Sequence, residues 1–125
     1  MSHEPPDIVI VDRRIEPAEL RRLVDLYFED MVKIVVDVRR RVVAVGGELH
    51  ADAEHALLSQ GSAQANLWGA NYYPGKGPEA CLEYTSLINI RPAAGNRSME
   101  LMDSGLREEV RRLAHSLLGK GEPLP

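Results

Sequence analysis

Met31-Val32-Lys33-Ile34-Val35-Val36-Asp37-Val38-Arg39-Arg40-Arg41-Val42-Val43-Ala44-Val45 is the stretch whose reading decides the fold. In an extended chain Val32, Ile34, Val36 and Val38 share one face, while Lys33, Asp37 and Arg39 point the other way. Three arginines, Arg39 to Arg41, fall where the run Met31–Val38 gives way to Arg41–Val45. The spacing predicts a β-hairpin, although no Asn-Gly or Asp-Gly turn supports it. Arginines at such a turn read as a solvated connection, with an anion patch as the alternative.

Working outward, Asp7-Ile8-Val9-Ile10-Val11 is a short β-branched run that suits a first strand. Pro17 opens a helix at the position where its missing N–H costs nothing, and Leu20, Leu23, Val24, Tyr27 and Phe28 recur at helical spacing. Beyond the hairpin, Gly46-Gly47 ends the strand, and Asp52 is placed to cap a short helix through Gln60, closed by Gly61. Asn66–Tyr73 and Cys81–Arg91 read as two further strands around the turn-rich Pro74-Gly75-Lys76-Gly77-Pro78-Glu79. Asp103 or Ser104 caps a last helix, with Leu106, Val110, Leu113 and Leu117 in one stripe and Gly119 closing it.

The order β-α-β-β-α-β-β-α, with its consecutive hairpins, predicts a mainly antiparallel sheet of about five strands with helices on one side, a two-layer α+β domain. The domain is expected over residues 8–119, with flexible tails at 1–7 and 120–125. Gly46-Gly47 does not begin a G-x-G-x-x-G loop, so a dinucleotide-binding fold is not indicated.

Composition narrows the partners. The 125 residues are 44% apolar and 27% charged with a net charge of −4, ordinary for a soluble domain and without a global basic field. Nucleic acid is therefore not an expected partner, and no apolar run is long enough to cross a bilayer. One cysteine, Cys81, excludes an internal disulfide framework, and the polar start Met1-Ser2-His3-Glu4-Pro5-Pro6 lacks the marks of a signal peptide. A cytoplasmic, soluble protein is expected.

Chemistry is expected first at Gly46-Gly47-Glu48-Leu49-His50-Ala51-Asp52. Glu48 and His50, two apart on an extended run, share a face, and a turn at Ala51 brings Asp52 near. A carboxylate beside an imidazole suits acid/base work, and the same set suits a hard or borderline metal, with His55 a fourth candidate. Neither H-E-x-x-H, C-x-x-C nor His-x-His occurs, so metal and cofactor are left open. A turn, a helix cap and a surface histidine account for the same residues.

Asn66-Leu67-Trp68-Gly69-Ala70-Asn71-Tyr72-Tyr73 supplies the second cluster, with Trp68 and Asn71 as candidate ligand-binding residues. Gly69 inside a strand leaves room for a ligand or a neighbouring backbone, and Trp68 equally suits the core. In the third cluster Asn89 and Arg91 sit on the polar face of the expected strand, where Arg91 pairs with Glu48 or Glu83, or joins Arg97 in clamping an anion. Cys81 has no activating base beside it in sequence and reads as a buried or strand-edge thiol.

Gly46–Asp52, Asn66-Leu67-Trp68-Gly69, Ile88-Asn89-Ile90-Arg91-Pro92 and Asn96-Arg97-Ser98, in that order, resemble a family of small prokaryotic proteins of unknown function. The resemblance spans about residues 8–118 and implies a compact stand-alone cytoplasmic protein, with no activity or site residue to carry over.

Two functions follow as expectations. The first is a small enzyme or binding protein for a small polar or anionic ligand, with His50 as acid/base, Glu48 as its partner and Arg91 as anion anchor. The second is a non-enzymatic interaction module, homodimeric or bound to a protein partner, using the apolar hairpin or the amphipathic last helix.

Overall fold

The computed structural model describes residues 7–125. Its frame is one five-stranded antiparallel sheet in the order β1-β3-β2-β4-β5, so the protein is α+β. The strands are β1 (Ile8–Val11), β2 (Val32–Asp37), β3 (Val42–Gly46), β4 (Leu67–Tyr72) and β5 (Leu82–Glu83). The helices are α1 (Pro17–Tyr27), α2 (His50–Ser59), the short α3 (Gly77–Ala80) and α4 (Ser104–Leu117).

The predicted hairpin is β2–β3, registered so that Ile34 faces Val45 and Val36 faces Val43. Its turn is built by a residue read from the sequence only as part of the strand's polar face. Asp37 is fully buried, and its Oδ1 accepts from the N–H groups of Arg39 and Arg40 at 3.0 and 2.9 Å. Its Oδ2 accepts from the Ser62 hydroxyl at 2.6 Å. An aspartate folding back on its own turn does the work of an Asn-Gly pair, so the arginines are a solvated connection.

Both strands of the hairpin are interior to the sheet, and both faces are apolar. Ile34, Val36, Val43, Val45, Trp68 and Tyr72 pack with α1 and α4 on the first face. Val35, Val42, Ala44 and Leu67 pack with Ala53 and Leu57 of α2 on the second. The helices thus divide between the two faces where one side was expected, because a strand buried on both faces needs cover on both.

Two boundaries differ from expectation. Helix α2 begins at His50 with Leu49 at the cap position, so Asp52 is a first-turn residue and caps nothing. The strand expected over Cys81–Arg91 is only Leu82–Glu83, and the chain then breaks into 3-10 turns at Leu87–Asn89 and Pro92–Ala94. The break has a physical cause in Ser86, whose Oγ accepts from the Ile88 N–H at 3.3 Å and bends the chain off the sheet. At the other end Asp103, as expected, caps α4 by accepting from the Leu106 N–H at 2.9 Å. Residues 1–6 of the expected N-terminal tail lie outside the described residues. The segment read as the C-terminal tail is held at Gly121, whose N–H donates to the Tyr72 hydroxyl at 3.0 Å and whose carbonyl accepts from Gly75 and Gly77 at 3.0 Å each.

Candidate cleft at the start of helix α2

Glycine sets the approach. Gly46 and Gly47 have φ of +112° and +86°, a left-handed conformation that turns β3 into α2, and a Cβ on Gly46 would lie 2.3 Å from the Asp7 carbonyl. That turn delivers His50 onto the second sheet face, over β2 and β4. Across from it the segment Thr85–Ile88 rests on Gly69, where an added Cβ would lie 2.6 Å from Ser86 Cβ. Gly69 therefore makes room for a neighbouring chain segment, one of its two expected uses.

Between these walls lies a cleft of about 320 Å3 lined by Lys33, Leu49, His50, Ala51, Asn71, Thr85, Ser86, Leu87, Ile88 and Met99. Lys33 and Asn71 form its floor, paired across β2 and β4. Leu49, Leu87 and Met99 form the rim and are 56%, 71% and 40% exposed.

His50 is buried, with Nε2 2.7 Å from the Ala70 carbonyl oxygen. A carbonyl only accepts, so Nε2 carries the proton and Nδ1 the lone pair of the neutral ring. Burial lowers the pKa of His50 below that of a free histidine; the Ala70 bond and the neighbouring Asn71 side chain oppose the shift and the Lys33 charge adds to it. The imidazole is therefore neutral at pH 7.

Asn71 is 8% exposed, and its Nδ2 donates to Glu83 Oε1 at 2.8 Å. Since a carboxylate can only accept, this bond fixes which end of the amide is which. The remaining end, Oδ1, is buried near the His50 ring and has no hydrogen bond of good geometry among the described residues. An unpaired buried acceptor costs about 1–3 kcal/mol, which an arriving donor recovers. The start of α2 is similarly short of a partner: the Asp52 N–H donates to the Leu49 carbonyl at 3.1 Å, but Leu49 offers no side-chain acceptor to the first turn.

The other expected residues are placed elsewhere. Glu48 is exposed and Asp52 half-buried, and neither lines the cleft with His50. His55 is exposed on α2. Among the described residues no three His, Cys, Asp or Glu side chains converge as a metal site. Trp68 is a core residue of the first face. Asn89 is fully buried and substitutes for a strand at the edge of β4, with Oδ1 accepting from the Gly69 N–H at 2.8 Å and Nδ2 donating to the Gly69 carbonyl at 3.0 Å.

Arg91 donates to the carbonyls of Gln64, Leu67 and Ile88, stacks on the Trp68 ring at 4.2 Å, and has Glu54, 4.0 Å away, as its acidic neighbour in place of Glu48 or Glu83. With its guanidinium so engaged, and Arg97 exposed, the expected anion clamp is not formed. Asn96 is the loop's second organiser, its Nδ2 directed at the carbonyls of Asn89, Ser98 and Glu100 within 3.0 Å.

Cys81 is buried as expected, and burial pushes its thiol pKa up. Its Sγ lies 3.7 Å from His115 Nε2, but that nitrogen is 3.0 Å from the Pro78 carbonyl and so carries its own proton. The pair has no base to form a thiolate.

Of the cleft residues, sequence reasoning found His50 and Asn71 and missed Lys33, Ser86 and the apolar rim. Lys33 did leave a signal: it is a charged residue set between Val32 and Ile34 in the central strand.

The supports expected for self-association change as well. The hairpin is flanked on both sides by other strands, and the α4 stripe is buried on the first sheet face. No helix among the described residues is long and apolar enough to cross a membrane. No curated protein and no solved structure matches the chain. Over residues 9–117 it matches a family model, and it belongs to that family, described as protein of unknown function (DUF5674).

Proposed function

We propose that the protein binds a small anionic ligand in the cleft between the start of α2 and the segment Thr85–Ile88. The observation that carries this reading is the uncapped start of α2 in the same cleft as Lys33, with the buried Asn71 Oδ1 beside them as a place for a donor on the same ligand. Lys33, whose ammonium lies 5.3 Å from the Phe28 ring centroid, supplies the charge, and the N–H groups of His50 and Ala51 supply donors at the positive end of the helix dipole. His50 replaces the Glu48/His50/Asp52 set as the central residue: neutral at pH 7 with its lone pair on Nδ1, it is the group suited to move a proton on a bound ligand. Asn89 and Arg91 act on the ligand only through the cleft wall they hold, and Trp68, in the core of the other face, does not reach it. A reducing, cytoplasmic setting fits the single buried thiol.

The test is an NMR titration of the whole chain with 4-methylpentanoate, benzoate and inorganic phosphate. One of these anions is expected to shift the His50 ring and the Asn71 side-chain amide together, and Lys33→Met to weaken that binding by about tenfold, the scale of a lost charged hydrogen bond. Resonances of His50 and Asn71 that stay still with all three anions would sink the reading.

A further inference from the structure

We infer that the ligand is a 2-substituted carboxylic acid: a carboxylate, a hydrogen-bond donor on the adjacent carbon and an apolar chain beyond it. This rests on the anion-binding reading above and adds the chemical class. Three features of different origin meet in the one cleft. The carboxylate is matched by the Lys33 ammonium and the uncapped start of α2, since helix N–H groups without a capping oxygen accept an anion in its place.

The adjacent donor is matched by Asn71 Oδ1, an acceptor that a bare carboxylate leaves unpaired. His50 binds the Ala70 carbonyl, and Asn71 is the next residue, so acceptor and helix start are neighbours. A ligand serving both carries its donor a short reach from its carboxylate, which the adjacent carbon provides. The apolar chain is matched by Leu49, Leu87 and Met99, large side chains left exposed at the rim of a cleft whose floor is polar.

The donor is a hydroxyl or an ammonium, and the probes separate them. The whole protein is titrated with 2-hydroxy-4-methylpentanoate, leucine, 4-methylpentanoate and the methyl ester of the hydroxy acid, following Lys33, Asn71 and the Leu87 and Met99 methyls. The hydroxy acid or leucine is expected to bind at least about tenfold more tightly than 4-methylpentanoate, and the ester not at all. Whichever of the two is tighter names the donor. Asn71→Ala is expected to bring the ratio to about one by weakening the hydroxy acid and leucine more than 4-methylpentanoate.

Leu87→Ala, at an exposed position where folding is not at stake, is expected to weaken every acid alike. Equal affinities for the hydroxy acid, leucine and the plain acid in the unmodified protein would overturn the ligand class and leave anion binding standing. Absence of any shift at Lys33, His50 and Asn71 would overturn both.

Discussion

His50 shows how one side chain is tied to the fold through its neutral form. Burial makes the proton more costly on His50 in the folded chain than in the unfolded one, where its pKa is near that of a free histidine, about 6.5. As pH falls through that value the unfolded chain takes up the proton first, so stability falls with it; at higher pH both states are neutral and the cost vanishes. His115, lowered mainly by burial, contributes in the same direction. Urea midpoints measured between pH 5 and 8 are therefore expected to drop on the acid side, and His50→Gln to flatten that drop. An unchanged slope in the variant would mean that His50 bears no burial cost. The residue itself was legible as a candidate from its place after Gly46-Gly47. Its partner was not, because the Ala70 carbonyl belongs to a strand twenty residues on and nothing local marks it.

At the scale of elements, what the sequence made legible were the stretches held by their own periodicity: β1 to β4, α1 and α4 fall close to where alternation or helical spacing put them. What failed was held by side chains instead. Cys81–Arg91 alternates as a strand should, yet Ser86 bends it away and Asn89 pairs with Gly69 in place of a strand backbone. A pattern of apolar residues carries no mark of an amide that imitates a peptide group. The same contact yields a prediction for the cleft wall. Gly69→Ala sets a Cβ 2.6 Å from Ser86 Cβ and 3.2 Å from Ile88 Cγ1, and is expected to cost about 1–3 kcal/mol, the usual range for overpacking. Ser86→Gly removes the opposing atoms, so the double variant should recover most of the stability lost on Gly69→Ala alone. Denaturant midpoints of the four proteins close this cycle. Additive losses would show that the wall does not rest on Gly69.

Across the whole molecule the two sheet faces divide the work. On the first, α1 and α4 cover the larger core, and the chain after α4 returns to fasten it at Tyr72. The second carries α2 and the cleft, with Lys33 and Asn71 directed away from that core. Antiparallel strands alternate their side chains between the faces, so neighbours in sequence such as Asn71 and Tyr72 serve different sides. Removing residues 120–125 separates the two roles. It takes away the bonds of Gly121 with Tyr72, Gly75 and Gly77 and leaves the Tyr72 hydroxyl on a buried ring without that donor. A loss of about 2–3 kcal/mol is expected, the scale of a few intramolecular hydrogen bonds partly replaced by water. Because the Tyr72 ring that Gly121 fastens lies on the first face, the affinity of the folded protein for 4-methylpentanoate should stay as it was. Urea denaturation of the shortened chain, read beside a titration under native conditions, checks both halves. Unchanged stability would mean that the C-terminal segment does not fasten the core. A weakened affinity at full folding would mean that the faces are coupled through β4, whose residues reach both.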